Sequence, residues 1–227
     1  MTAPAPTTTL TVVLLHGLAR RAGSLAGMGR ALEAAGFATW SCDYPSRRAT
    51  VAEAAAEVAD RIAAALPGQP LGAVTHSLGG VLARHLGDAR LDWRRIVMLA
   101  PPNQGSQVAA ALAQQPLFRW FYGPAAQELA LRSGAGLAGD PASWPPPPAP
   151  TAVIAGTRRR ALVNPTSWVS GRVFADGVAH DGTVAVDEAR LPGAAFATVD
   201  ASHTVIMDDP AVRALAIGFL RHGTLAG

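Results

Sequence analysis

Ser77 is the residue in this sequence best placed to act as a nucleophile. It stands in residues 74–80 (VTHSLGG), where an apolar run typical of a strand passes directly into apolar residues at helical spacing. This leaves no room for a loop, so Ser77 must occupy a very tight turn, and Gly79 and Gly80 supply the small neighbours that it needs. The turn would present the serine hydroxyl at the carboxyl end of the sheet and aim the Leu78 amide at the same point. An ordinary serine N-cap on a helix is the alternative.

A serine hydroxyl is a weak nucleophile until a positioned base accepts its proton, and that base needs an orienting carboxylate. His203 lies just after the last predicted strand and before the terminal helix, which makes it the candidate base; an ordinary loop histidine is the alternative. His222 comes too late, at the end of the terminal helix. His85 lies inside the helix that follows Ser77, and His180 precedes an aspartate, so neither is placed to reach the serine.

Two aspartates between the last two predicted strands are candidates for the orienting carboxylate. Asp181 stands in residues 180–184 (HDGTV), and Asp176 stands directly before Gly177. Asp-Gly pairs are common in turns, so Asp176 is readily explained as a turn residue.

Strands and helices alternate along the chain in a way that would position these residues. The predicted strands are Leu10–Leu15, Phe37–Cys42, Leu71–Val74, Arg95–Ala100, Thr151–Ala155 and Ala194–Val199. Helices are predicted to follow Ser24 and a Thr50/Glu53 capping box, and to begin at Pro210 behind the N-cap Asp209. This order implies right-handed crossovers and a doubly wound, mostly parallel sheet of about six strands flanked by helices. In such sheets the site lies at the carboxyl ends of the strands.

Residues 101–150 are less regular than the rest of the chain. Short helices are predicted at 108–112 and 125–131, separated by the aromatic segment 117–122. Leu117, Phe118, Trp120 and Phe121 follow a strand that borders the predicted site. They are therefore a possible acyl pocket or lip, and core packing under the covering helices is the alternative.

Composition places the chain among globular proteins. With 49% hydrophobic and 15% charged residues, all 227 residues are expected to form a single α/β domain with a flexible lead at residues 1–9. No uncharged apolar stretch approaches the roughly 18 residues of a membrane span. The lead lacks a basic region typical of signal peptides, and Cys42 is the single cysteine, so a cytoplasmic location is expected.

The excess of positive charge is modest and comes entirely from arginine. The net charge is +3, and no arginine stripe is interleaved with aromatics, which argues against nucleic-acid binding. Three arginine clusters, at 20–21, 47–48 and 158–160, each follow the carboxyl end of a predicted strand. They predict a positive collar that attracts anionic substrates or interfaces, although a solvated surface explains any one cluster equally well.

Several motifs together resemble a small bacterial lipase/esterase of the α/β-hydrolase superfamily. They are HGL at 16–18, THSLGG at 75–80, PPNQGS at 101–106, DGTV at 181–184 and SHT at 202–204. The stretch around Ser77 resembles the G-x-S-x-G nucleophile elbow, with Thr75 in place of the first glycine. The resemblance extends over most of the chain and is specific for the fold and the triad, while it says little about substrate.

The resemblance implies hydrolysis of carboxylic esters through an acyl-enzyme on Ser77. In this fold the triad follows the chain order serine, acid, histidine, which selects Asp181 and His203. The HG motif implies that the backbone amide of Leu18 joins that of Leu78 in an oxyanion hole. No cofactor or metal is implied.

Two other functions stay open. The same triad supports acyl transfer to an acceptor other than water, and the same fold supports a catalytically silent binding protein. Residues 101–150 are too few for a large lid domain, so a minimal lid or none is expected, which favours small esters of short or medium acyl chains.

Overall fold

The computed structural model of the protein describes residues 10–113, 115–130, 140–159 and 172–225, without the side chains of residues 116–119 and 121. Its centre is a six-stranded sheet in the order β2-β1-β3-β4-β5-β6. The strands are β1 (Thr11–Leu15), β2 (Ala38–Ser41), β3 (Pro70–His76), β4 (Asp92–Leu99), β5 (Thr151–Gly156) and β6 (Ala195–Val199). Every neighbouring pair is parallel, so all six carboxyl ends meet at one edge. The predicted doubly wound α/β sheet is confirmed.

Helices cover both faces of this sheet. They are α1 (Ala26–Ala34), α2 (Val51–Ala65), α3 (Leu78–Arg84), α4 (Gln107–Ala113), α5 (Pro116–Leu129), α6 (Val186–Ala189) and α7 (Pro210–His222). Short 3-10 helices span Ala22–Leu25, Pro141–Ser143 and His203–Asp208. The ends of α7 follow local chemistry, since the Asp209 side chain accepts from the first amides and Gly223 ends the helix in the left-handed region.

The two faces of the sheet bury separate hydrophobic clusters. One face packs against α2, α3 and α5, through residues such as Val58, Leu82 and Leu129. The other packs against α1, α7 and the 3-10 helix at 203–208, through Met28, Phe219 and others. Continuous burial along β1 and β5 agrees with strands that are covered on both sides.

Two local predictions are wrong. Ser24 does not cap a helix: α1 begins later, behind Leu25, and the buried Ser24 hydroxyl has no hydrogen-bond partner among the described residues. The aromatic segment 117–122 is not a separator, because it belongs to α5, which kinks at Gly123. A side chain at Gly123 would lie 1.8 Å from the Arg47 carbonyl oxygen, so the helix passes directly over that loop only because no side chain is present.

Two further predictions concern the amino-terminal lead and membrane crossing. Residues 1–9, expected as a flexible lead, lie outside them. Within the described ranges, none of the helices combines the length and the apolar character that crossing a membrane requires.

Candidate active site

Ser77 occupies the turn between β3 and α3 with a backbone conformation that few residues adopt. Its φ and ψ are 51° and −118°, in a region that side chains normally avoid. The Ser77 amide donates to the Leu99 carbonyl oxygen at 2.9 Å, and the Ser77 carbonyl accepts from Gly80, so the turn is fixed from both sides. The predicted strand-to-helix elbow is therefore present, and it holds the serine hydroxyl at the carboxyl edge of the sheet.

Two glycines make this turn possible. A Cβ at Gly79 would lie 2.4 Å from the Leu15 carbonyl oxygen, and one at Gly80 would lie 2.8 Å from Pro101. Both separations are far inside contact distance, so α3 can approach the ends of β1 and β4 only without side chains at these positions.

Thr75, the departure from the familiar elbow pattern, is accommodated without an unpaired polar group. Its side chain is fully buried, and its hydroxyl donates to the Val97 carbonyl oxygen at 3.3 Å. A Cβ at Gly80 would lie 3.3 Å from the same hydroxyl. The missing side chain at position 80 thus leaves room for the additional one at position 75.

The structure brings the three predicted side chains together. His203 Nε2 lies 3.1 Å from Ser77 Oγ, and His203 Nδ1 lies 2.8 Å from Asp181 Oδ2. All three are buried, with Asp181 only 1% exposed. This is the geometry in which an imidazole accepts a serine proton while a carboxylate orients its other nitrogen.

Asp181 is held in place by its own loop. Its Oδ1 accepts from the amides of Thr183 and Val184 at 2.9 and 2.8 Å, which leaves Oδ2 for His203. The His203 amide in turn donates to the Asp181 carbonyl oxygen at 3.0 Å. The competing Asp176 is exposed in a turn before Gly177 and is not the carboxylate that contacts His203.

The turn at residues 16–18 (HGL), directly after β1, contains the backbone amide of Leu18, the predicted second donor of the oxyanion hole. We call it the oxyanion turn. Neither the Leu18 amide nor the Leu78 amide donates to a protein group within the part of the chain that the structure describes. The His16 imidazole stacks on Tyr44 at 4.0 Å between ring centroids, and the Tyr44 hydroxyl donates to the His16 carbonyl oxygen. These contacts fix the turn from the side of β2.

Burial controls the charge of the groups around this turn. It lowers the pKa of the His16 imidazole, and it holds the pKa of His76 well below its ordinary value. The Arg20 guanidinium lies near both histidines and acts to lower their pKa values further, whereas the hydrogen bond to Gly17 and the Asp43 carboxylate act to raise the pKa of His16. His16 and His76 are therefore neutral near pH 7, and the nearby positive charge belongs to Arg20.

Three residues that matter here were not identified from the sequence. Both Tyr44, in the turn after β2, and His76, the last residue of β3, are buried polar side chains. Only His76 ends a largely apolar strand, a pattern that can mark a site. Gly156 ends β5, where a Cβ would lie 2.4 Å from the Ala201 carbonyl oxygen and 2.8 Å from Asp181 Cβ. Its role depends on contacts between distant residues, so no local pattern signals it.

The predicted acyl pocket is only partly described. The Trp120 side chain is 82% exposed on α5. The side chains of Leu117, Phe118 and Phe121 lie outside the described residues, so the pocket stays a prediction.

The arginines of the predicted collar differ in whether their side chains already have partners. Arg158 pairs with Asp200 at 3.0 Å, and Arg159 donates to the Val178 carbonyl oxygen, whereas Arg160 lies outside the described residues. Arg20 is half-buried beside the turn at residues 16–18. It has no ion-pair partner within 4.0 Å among the described residues, and the Asp208 carboxylate acts on it from a greater distance.

A cavity of about 780 Å³ lies at the opposite edge of the sheet, at the amino ends of the strands. Its arginines already have partners: Arg95 donates to the carbonyls of Leu220 and Arg221, and Arg94 pairs with Asp92. The catalytic candidates are all at the other edge, so we assign no part of the chemistry to this cavity.

Residues 6–171 match the family described as serine aminopeptidase, S33. Because the match covers most of the chain, this protein belongs to that family of α/β hydrolases. The matched residues include Ser77 and end before Asp181 and His203. A comparison with curated protein sequences gives no match.

Solved structures that share this fold include a lipase, a carboxyl esterase and a phospholipase. The mature lipase BlEst2 of Bacillus licheniformis has 19% identity and a TM-score of 0.76, covering 96% of this chain and 94% of its own. The metagenomic carboxyl esterase MGS0156 has 20% identity and a TM-score of 0.62, over 88% and 68%. Phospholipase PlaB of Legionella pneumophila has 16% identity and a TM-score of 0.58, over 80% and 46%. At such identities the likeness confirms the α/β-hydrolase fold.

Proposed function

We propose that this protein is a serine hydrolase that cleaves carboxylic esters through an acyl-enzyme on Ser77. The observation that carries the proposal is the continuous contact from Ser77 Oγ through His203 to Asp181, at 3.1 and 2.8 Å. A structural serine has no need of a buried histidine and carboxylate in this alignment, and its strained backbone would be a cost without a benefit.

In the first step, Ser77 Oγ attacks the ester carbonyl carbon while His203 Nε2 takes the hydroxyl proton. Asp181 keeps the other imidazole proton on Nδ1 and stabilises the imidazolium. The amides of Leu18 and Leu78 bind the oxyanion that forms; one such donor is typically worth about a hundred- to a thousandfold in rate. The intermediate collapses as His203 returns its proton to the departing alcohol.

In the second step, water attacks the acyl-enzyme and gives its proton to His203. The carboxylic acid is released and Ser77 regains its proton. Every group required belongs to the chain itself, so the cycle needs no cofactor or metal.

The positive charge near the site is better suited to an ester with an anionic group than to a peptide with a free amino terminus. Asp208, an acid that acts on Arg20, already pairs with Arg213. Arg20 adds a positive charge beside the oxyanion turn. We therefore place the substrate among esters, in keeping with the names lipase, carboxyl esterase and phospholipase of the similar structures.

The half-buried Arg20 also favours substrates that carry an anionic group near the reacting carbonyl. Arg20→Gln should lower kcat/KM for an anionic ester about tenfold at low salt and leave a neutral ester unchanged. Arg158→Gln is the matched control, because its charge is already paired with Asp200. If kcat/KM of Arg20→Gln falls equally for the anionic and the neutral ester, Arg20 does not attract anionic substrates.

The test of the main proposal is labelling by a serine-directed fluorophosphonate, mapped by peptide mass spectrometry. We expect modification of Ser77 in the wild type, none in Ser77→Ala, and a greatly slowed reaction in His203→Ala. Correctly folded wild-type protein that does not react would favour the silent binding protein.

Substrate assays then separate the related activities. Hydrolysis of nitrophenyl esters should exceed that of aminoacyl nitroanilides, and a reversal of that order would favour peptide cleavage. Ester products that form with added alcohols would instead favour acyl transfer.

A further inference from the structure

His76 is a buried histidine that the proposed mechanism does not use. It is the last residue of β3, directly before Ser77, and only 2% of its surface is exposed. Its side chain lies on the same face of the sheet as Val74, toward the 3-10 helix that begins at His203. Burying a polar ring is costly unless its nitrogens find partners, so the contacts of His76 require an explanation.

One nitrogen of the His76 ring holds the backbone of the candidate base. His76 Nε2 lies 2.9 Å from the His203 carbonyl oxygen, and the two rings are 4.9 Å apart. A carbonyl oxygen only accepts, so Nε2 carries the proton. The His203 amide donates to the Asp181 carbonyl oxygen, so both peptide groups of His203 are fixed.

The other nitrogen faces the oxyanion turn. A Cβ at Gly17 would lie 2.7 Å from His76 Nδ1 and 3.4 Å from Ser77 Cβ. The ring thus packs directly against the backbone that leads to Leu18. His76 Nδ1 has no hydrogen-bond partner within the described residues, so on this side the ring acts by packing and not by hydrogen bonding.

We propose that His76 is a positioning residue. Its Nε2–H donates to the His203 carbonyl oxygen and so fixes the distance between His203 and Ser77, while its ring packs against the turn at Gly17 and holds that turn in place. One side chain then links the nucleophile, the base and the oxyanion hole. This inference rests on the proposed hydrolase function and assigns a task within it.

The charge of His76 matters as much as its shape. Burial, together with the nearby His203 and Arg20, keeps the pKa of His76 well below its ordinary value. During the reaction His203 becomes an imidazolium 4.9 Å from this ring. A neutral His76 does not oppose that charge, whereas a cation at the same position would raise the barrier.

The test compares two substitutions of His76 that differ in hydrogen bonding. His76→Gln keeps an N–H donor at nearly the same distance, and His76→Leu fills similar space without a donor. Misplacement by about 1 Å can cost about a hundredfold in rate. We expect the Leu variant to lose about ten- to a hundredfold in kcat and in the rate of fluorophosphonate labelling, with KM little changed, and the Gln variant to stay within about threefold of wild type.

Trp93→Phe is the matched control. It removes a buried hydrogen bond to the Leu86 carbonyl oxygen near the amino end of β4, at the opposite edge of the sheet from Ser77. If it lowers Tm about as much as His76→Leu but leaves the labelling rate unchanged, the effect of His76 is on position and not on general stability. Should His76→Leu fail to fold, His76→Asn replaces it, since its amide is too short to reach the His203 carbonyl.

The pH profile provides a second readout. Replacing a neutral ring by Leu leaves the midpoint of the acid limb of kcat/KM unchanged, whereas removing a cation would raise it. A raised midpoint would overturn the assignment of a neutral donor.

The labelling data separate this inference from the function beneath it. Wild-type protein that is not labelled would overturn both. If the wild type is labelled and a folded His76→Leu variant reacts at the same rate, only the positioning role is overturned.

Discussion

On the β1 and β3 side of the candidate active site, the geometry depends on backbone segments packed too closely to admit a side chain at Gly17 or Gly79. On the β5 and β6 side, it depends on hydrogen bonds between loops, above all those joining Asp181 to His203 across 22 residues of sequence. We call these the nucleophile side and the acid–base side. The comparison teaches that one side is set mainly by steric contacts between backbone segments, and the other mainly by hydrogen bonds between loops.

The largest expected effect comes from breaking the polar contact on the acid–base side. In Asp181→Asn, the amide oxygen stays with the amides of Thr183 and Val184, so the NH2 group faces His203 Nδ1. His203 Nδ1 must then accept a hydrogen bond, so the imidazole proton moves to Nε2. With that proton in place, Nε2 cannot accept the hydroxyl proton of Ser77. We expect kcat to fall about a thousandfold.

Steady-state kinetics checks this prediction, with thermal unfolding to establish that the variant is folded. The exposed Asp176→Asn is the matched control and should behave as wild type. A loss of less than about tenfold in Asp181→Asn would mean that the acid–base side does not orient the base.

On the nucleophile side, a single methyl group should be enough to disrupt the structure. In Gly79→Ala the new Cβ would lie 2.4 Å from the Leu15 carbonyl oxygen, which α3 can relieve only by moving away from β1. We expect the free energy of unfolding to fall by about 3 kcal/mol. Urea denaturation measures it, and Gly87→Ala, where a Cβ meets nothing within 4 Å, should be close to neutral.

The nucleophile side should also be the more sensitive to acid. His76 and His16 are neutral in the folded protein because burial lowers the pKa of each, whereas in the unfolded chain they bind protons below about pH 6.5. Folding must then release those protons, so stability is constant above about pH 6.5 and falls as the pH drops below it. Each group contributes up to about 1.4 kcal/mol per pH unit.

Removing one of these groups tests that dependence. Between pH 7 and pH 5, His76→Gln should gain about 1–2 kcal/mol in unfolding free energy relative to wild type. Thr75→Val, which removes no titratable group, should keep the wild-type dependence. If the Gln variant follows the wild-type curve, His76 is not held neutral by the fold.

The smallest effect expected is a gain in stability at the nucleophile itself. Ser77 has a positive φ, which glycine adopts without strain. Ser77→Gly should therefore be about 1 kcal/mol more stable than Ser77→Ala, although both lack the nucleophile. Denaturant midpoints of the two variants decide this. Equal stabilities would show that the elbow stores no strain.

The same comparison explains how far the sequence could predict the structure. The elbow, the parallel sheet and the capped helices α2 and α7 follow from residues close together in the chain, and the structure contains them. Ser77 and His203 are predicted because each follows a predicted strand, and strand ends converge in a parallel sheet. Asp181 is predicted through the lipase/esterase resemblance, which implies the chain order serine, acid, histidine. Their catalytic roles stay predictions.

What could not be predicted depends on contacts between distant residues. From the sequence alone, Gly156 looks like an ordinary strand end. Its importance follows from the close approach of the Ala201 backbone, which only the structure reveals. Tyr44 and His76 become informative only once their partners, the carbonyls of His16 and His203, are known. Residues 117–122 are predicted to separate two helices, whereas in the structure they belong to α5, which kinks at Gly123 over the Arg47 carbonyl; that close approach joins residues distant in sequence.

The strand order has a consequence for the way in which the protein is made. The four strands β2, β1, β3 and β4 lie side by side and are synthesised before β5 and β6. A growing chain folds from its amino-terminal part, so the elbow of Ser77 has all its neighbouring strands while His203 has yet to be translated. Under the proposed mechanism, Ser77 on the ribosome would therefore be in place but not yet activated, and reactivity toward esters would begin only after the residues beyond β6 have emerged.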